Sequence, residues 1–170
     1  MNMKTLARIT MIAAIYTALC FVPVLSAIAF GQVQIRVAEA LTILPLAWQP
    51  SIYGVTLGCF LSNLIGAATG LNPTGFLDAA VGTCATALAA YFTWKFRDRK
   101  IHGIPVLSVL MPVIFNFFFV GCELAVLFMP DNVLLGTLIN GSYVAIGELI
   151  AVTVGWFMIK ALKKTEIFNS

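Results

Sequence analysis

RVAEALTILPLAWQPSIYGVTLGCFLSNLIG, residues 36–66, is one apolar region interrupted by Pro45 and Pro50. Proline lacks a backbone N–H and pushes the preceding residue out of the helical region. The prolines around Trp48 and Gln49 therefore predict two helices joined by a tight turn. The first, residues 36–47, is short or tilted. The second runs over residues 51–67. A single kinked helix over residues 31–67 is the alternative. The choice decides whether the chain crosses a bilayer six times or five.

Four other stretches reach the roughly 20 apolar residues that a crossing needs. They are residues 6–30, bent at Pro23, and residues 75–94, 104–129 and 133–160. Composition agrees with this class. Of 170 residues, 61% are hydrophobic and 10% charged, against about 25% charged in a soluble domain. That excludes a soluble globular protein, a disordered chain and a disulfide-rich secreted fold. The expectation is one all-α transmembrane domain over residues 1–170.

Charge chooses between five and six crossings. Lys4 and Arg8, then Lys95 to Lys100, then Lys160 to Lys164 form three basic clusters. Cytoplasmic flanks of membrane helices are rich in Lys and Arg. Placing all three clusters inside requires six helices with both termini cytoplasmic. The outer connections are then Ser26–Ile35, Gly66–Thr74 and Met129–Asn132. The first helix also has a signal-peptide look, with Ala27-Ile28-Ala29 as an A-x-A site, but its apolar run is too long. Three separate clusters do not form a nucleic-acid stripe.

A charged side chain in lipid costs roughly 2.5–3.5 kcal/mol on insertion scales. Each one in a span therefore demands a reason. Arg36, Glu39, Asp78, Glu123 and Glu148 lie in or at the edge of apolar spans, together with Asn63, Asn116 and Asn140. On six helices most of them reach one outer level, with Glu148 deeper. Arg36 and Glu39, three residues apart, are expected to pair. Asp78, Glu123 and Glu148 are then left without a cation, a lining that favours a cationic or donor-rich small molecule. Helix capping by Asp78 is the plain alternative. The asparagines serve equally well as interhelical glue.

Other chemistry has few parts. No G-x-x-x-x-G-K-[ST] phosphate loop occurs, and no cofactor is expected. His102 is the single histidine and sits in the basic loop. Cys20, Cys59, Cys84 and Cys122 lack C-x-x-C spacing and read as small packing residues, with no metal site. Ala14 and Ala18, with Ala7 and Met11 beside them, form a small-residue stripe that lets another helix approach. Packing within the bundle is the plain alternative.

The stretches Gln34-Ile35-Arg36-Val37-Ala38-Glu39-Ala40-Leu41-Thr42-Ile43-Leu44-Pro45, Gly58-Cys59-Phe60-Leu61-Ser62-Asn63 and Leu71-Asn72-Pro73-Thr74-Gly75-Phe76-Leu77-Asp78 resemble the QueT family. Gly82-Thr83-Cys84-Ala85-Thr86 extends the likeness. The resemblance implies a substrate-binding (S) component of an energy-coupling factor (ECF) transporter in a prokaryotic cell membrane. It implies a queuosine precursor as substrate, a 7-deazaguanine such as 7-aminomethyl-7-deazaguanine or queuine. It implies as partners a transmembrane coupling subunit, met through Ala14 and Ala18, and two ATPase subunits. Glu123 is expected on the guanine edge or amine, with Glu39, Asp78 and Asn116 beside it. The segments Ser26–Ile35 and Gly66–Thr74 are the expected lids. An S component for another vitamin, a proton-coupled carrier using Glu123 or Glu148, and an intramembrane enzyme are the rival readings.

Overall fold

The computed structural model describes residues 2–22 and 36–162. Helix α1 (Met3–Phe21) opens at Asn2, whose side chain accepts the Thr5 N–H at 2.8 Å, a side-chain cap on an orphan donor. It closes at Val22, whose backbone is extended, as the following Pro23 demands. The rest of the expected span, residues 23–30, lies outside the described residues. The segment Ser26–Ile35, with Ala27-Ile28-Ala29, lies outside the described residues, as do Gln34, Lys163 and Lys164.

Six more elements follow. They are a 3-10 helix η1 (Val37–Leu46), then α2 (Ser51–Ala68), α3 (Phe76–Lys95), α4 (Val106–Phe128), a short 3-10 turn (Pro130–Asn132) and α5 (Val133–Leu162). The two prolines do divide residues 36–66. Ser51 N–H and its hydroxyl both donate to the Trp48 carbonyl, at 3.1 and 2.6 Å, and turn the chain between η1 and α2.

The first of the two segments is wound differently from the expected α-helix. A 3-10 helix rises about 2.0 Å per residue against about 1.5 Å in an α-helix. The ten residues of η1 therefore reach about 20 Å instead of about 15 Å. Residues 38–45 are buried throughout, which suits a segment that is apolar on every side. All five α-helices pack around η1.

Missing side chains permit that closeness. A Cβ on Gly155 of α5 would overlap the Ala40 carbonyl oxygen of η1. Gly155→Ala is expected to cost about 1–3 kcal/mol through overpacking. It would be read as a lower Tm in detergent, and an unchanged Tm would mean that α5 and η1 part freely. A Cβ on Gly58 of α2 would meet the Tyr16 Cβ at 2.6 Å, so α2 lies directly against α1 beside Tyr16.

Five of the helices are long and apolar enough to cross a membrane, and η1 is a shorter apolar helix. Among the described residues the only strand pairing is one isolated bridge, Ile101 with Ile104. The chain is an all-α, multi-pass membrane protein. Apart from the buried Arg36, the described basic groups that can be placed gather at one end. Arg8, Trp48 and Leu162 line one groove there, and Leu46, Arg97, Lys100 and Trp156 line a neighbouring one. Arg8 lies over Trp48 at 6.0 Å, Arg97 over Trp94 at 4.9 Å and Lys160 over Trp156 at 5.2 Å. Cations seated on aromatic rings suit a membrane–water interface. Both described ends of the chain therefore lie at this basic end. The opposite end carries residues 69–75 and 129–132, which contain no Lys or Arg.

A buried polar cluster between the helices

Arg36 precedes η1 and is 7% exposed. Its guanidinium donates to Asp78 Oδ2 of α3 at 2.5 Å and to Asn63 Oδ1 of α2 at 3.0 Å. The expected partner was Glu39, and this is corrected. The planar fork of arginine reaches two acceptors at once, and the helices opposite supply both. Asp78 is accordingly not without a cation. Nor does its carboxylate cap α3, because the N-cap is Gly75 and carries no side-chain bond. Gly75 holds φ +64°, a left-handed conformation that glycine adopts without strain.

Glu39, on the first turn of η1, takes its hydrogen bond from the Tyr16 hydroxyl of α1. The connection 69–75 ties itself to the same ion pair. Asn72 Nδ2 donates to Asp78 Oδ2 at 2.9 Å, while Asn72 Oδ1 accepts the Thr74 N–H and hydroxyl at 3.1 and 2.7 Å. The bond to Thr74 N–H is an Asx turn. The expected lid Gly66–Thr74 is thus pinned over Asp78, with Asn72 and Thr74 both buried.

Below this network lies a cavity with room for about one water. Arg36, Glu39, Gly82, Thr86, Asn116 and Glu148 line it, with Val120 and Val144 as apolar walls. Glu148 is within electrostatic reach of Glu39 and Arg36. Glu39 Oε2, Glu148 Oε2 and Asn116 Nδ2 are buried without a hydrogen-bond partner. Such atoms cost about 1–3 kcal/mol each, more when charged. Two unanswered carboxyl oxygens and one unanswered amide donor face one space. They complement a small molecule with N–H donors and a carbonyl acceptor.

Three expected residues fall elsewhere. Glu123 is 4% exposed and does not line the cavity. Its carboxylate is buried beside Thr74, within electrostatic reach of Asp78 and Arg36, and the rest of the residue borders an apolar cleft between α3 and α4. Asn63 is spent on Arg36, on the Asp78 carbonyl at 3.0 Å and on Cys59 Sγ at 3.5 Å. Asn140 is half-buried and donates to the Gly136 carbonyl of its own helix at 2.8 Å; it does not line the cavity. Sequence reasoning missed Tyr16, Asn72, Thr74, Gly82 and Thr86 as participants. An Asn-Pro-Thr-Gly turn signature was available for Asn72 and Thr74. Nothing local marks Tyr16, whose role depends on η1 lying across α1.

Comparisons with known proteins bear on what such a cluster serves. A family model described as QueT transporter matches residues 6–164. A protein of Lactococcus lactis subsp. cremoris (strain MG1363), described as "Queuosine precursor transporter QueT", is 26% identical over 165 residues, covering 94% of this chain and 92% of that protein. No solved structure matches the chain. The family match reaches into every described helix and includes η1 and the buried cluster, and the chain therefore belongs to the QueT transporter family.

Proposed function

We propose that this protein is the substrate-binding membrane subunit of an ECF-type transporter for a queuosine precursor. The precursor is a 7-deazaguanine such as 7-aminomethyl-7-deazaguanine or queuine. The single observation that carries the reading is the set of unanswered polar atoms on Glu39, Glu148 and Asn116 around one buried cavity. A guanine-type edge has adjacent N–H donors, which one carboxylate accepts together, and a carbonyl that the Asn116 amide can serve. An aminomethyl group adds a cation for the second carboxylate. Family membership and the Lactococcus relative's description support the same substrate class.

Arg36, Asp78 and Asn63 serve in this reading as the frame that holds η1, α2 and α3 around the ligand. A fused bicyclic heterocycle is several times larger than one water, so the walls separate when it binds. Closure before and after binding keeps unpaired polar groups away from lipid, where each is costly. The proposed location is the cell membrane of a prokaryote, with the basic end cytoplasmic by its Lys and Arg. Energy comes from two ATPase subunits through a transmembrane coupling subunit that meets α1 at Ala14 and Ala18. Those alanines lie on the exposed face of α1, opposite buried Ile9, Ile12, Ala13, Tyr16 and Cys20.

The test is equilibrium binding to purified protein of guanine, 7-aminomethyl-7-deazaguanine, queuine, thiamine and riboflavin. A 7-deazaguanine is expected to bind tightest. Glu148→Gln is expected to weaken it by about 1.5–3 kcal/mol, or roughly 10- to 150-fold, through loss of a charge-assisted hydrogen bond. Tighter binding of thiamine or riboflavin would assign the chain to another vitamin. Accumulation by the purified protein alone, driven by a proton gradient, would make it a secondary carrier.

A further inference from the structure

Charge in the buried cluster does not balance. Among the described residues the buried acids are Glu39, Asp78, Glu123 and Glu148, and the one buried basic side chain is Arg36. Arg36 answers Asp78 at 2.5 Å. Glu39 and Glu148 then line the same cavity, which has room for about one water. Two carboxylates at such close quarters do not both ionise unless a cation stands between them. An unanswered charge is also costly in a bilayer. At least one of the pair therefore carries a proton in the free protein.

The two acids differ in their surroundings. Glu39 receives the Tyr16 hydroxyl on Oε1, and Arg36 is within its electrostatic reach. A donor and a cation both support its ionised form. No hydrogen bond among the described residues reaches Glu148, and its Oε2 is buried without a partner. Toward Glu148, η1 presents Glu39 and, just before its start, Arg36. Helix α4 presents Asn116 to the cavity, while its Glu123 lies beside Thr74 and outside the cavity. On α5 itself Tyr143 is largely exposed, and Lys160 stands twelve positions further on, about 18 Å along the axis. Asp131, in the turn before α5, is exposed at the far end of that helix.

We propose that Glu148 selects a ring bearing a cationic side arm, and that it trades its own proton for that cation as the ligand binds. The Glu148 O–H bond breaks, its proton leaves to water, and the ligand's ammonium N–H groups donate to the carboxylate. One positive charge goes out and one comes in. The buried cluster keeps the same charge, free or loaded, and adds no electrostatic cost in the bilayer on loading. Glu39, already ionised, and the Asn116 amide serve the ring edge, with no proton to release. The inference rests on the substrate class proposed above and assigns the residue that tells a charged ring from a neutral one.

Calorimetry on full-length protein, in two buffers of different ionisation enthalpy, counts the protons released on binding. 7-Aminomethyl-7-deazaguanine is expected to release about one proton more than 7-deazaguanine, which has the same ring and no amine. Its Kd is expected to fall about tenfold per pH unit while Glu148 is protonated in the free protein, and to level off above that range. The Kd of 7-deazaguanine is expected to stay nearly level. Glu148→Gln is expected to abolish the extra proton and to lower the preference for the aminomethyl ligand by roughly 10- to 150-fold. Equal proton release by the two ligands in the wild type would overturn the exchange. A folded Glu148→Gln that still releases the extra proton would assign it to another acid and overturn the role of Glu148. The wild-type proton count decides the exchange if the variant fails to fold. Wild-type protein that binds neither ligand would remove the functional reading and the exchange together, whereas tight binding with equal proton release removes the exchange alone.

Discussion

Arg36→Ala is expected to destabilise the protein by roughly 3–5 kcal/mol, because it leaves one member of a buried ion pair unanswered. Asp78 is 1% exposed and would keep only the Asn72 amide on its carboxylate. The loss also unties three elements at once, since Arg36 joins the start of η1 to Asn63 of α2 and Asp78 of α3. Thermal unfolding in detergent would show it as a large drop in Tm. Arg36→Lys is expected to rescue only part of the loss. A lysine is a point charge and cannot present the planar fork that serves two acceptors. The double variant Arg36→Met with Asp78→Leu is expected to be more stable than either single variant, because an apolar pair carries no desolvation cost. Single variants as stable as wild type would show that the pair is dispensable to the fold. Ligand binding should fall with the single variants and stay low in the double variant, as Arg36 also lines the cavity.

Ala14→Trp is expected to do the reverse: leave fold and ligand affinity intact and abolish ATP-driven uptake. Ala7, Met11, Ala14 and Ala18 all lie on the exposed side of α1. A bulky ring there points away from Ile12 and Tyr16, so the bundle need not adjust. It does prevent another helix from coming as close as an alanine stripe allows. The measurement pairs binding by purified protein with uptake in vesicles that hold the coupling and ATPase subunits. Phe157→Trp, at a position 65% exposed on α5, serves as the control for added bulk and should transport normally. Unimpaired uptake in Ala14→Trp would leave the stripe facing lipid. Loss of binding would make it a packing surface of this bundle.

The two variants separate features that differ in how far they could be read from the chain. The alanine stripe is local: four residues on one helix face, visible from spacing alone. Spacing could not say which side of α1 it occupied, and the structure puts it outside. The Arg36 network is not local. Its partners lie 27 and 42 residues away, and the Tyr16 bond to Glu39 spans 23 residues. The sequence put Arg36, Glu39, Asn63 and Asp78 near one level from their positions within apolar runs, and the structure joins three of them, Arg36, Asn63 and Asp78, by hydrogen bonds. It paired Arg36 with Glu39 because an i, i+3 neighbour is the only partner a one-dimensional reading can see.

Glu123 carries the same lesson at finer scale. A carboxylate seven residues from Asn116 does share its helix face. Yet the face is broad enough for one end to border the inner cavity and the other the α3–α4 cleft. Only the position of α3 against α4 draws the line between them. Likewise the prolines at positions 45 and 50 announced a break, but not that the first piece would wind as a 3-10 helix with every long helix packed about it.

By itself the sequence determined the solvent, the crossing segments and the gathering of basic groups at one end. Those depend on hydrophobicity, length and charge, which each residue carries wherever its neighbours lie. The tertiary structure decided who answers whom. In a bilayer every polar group needs a partner within hydrogen-bond distance, and that partner is set by which helices touch. Here the contacts join Arg36 to Asp78 and Asn63 as a frame, and leave Glu39, Glu148, Asn116 and Asp78 Oδ1 each with a buried polar atom that no neighbour answers.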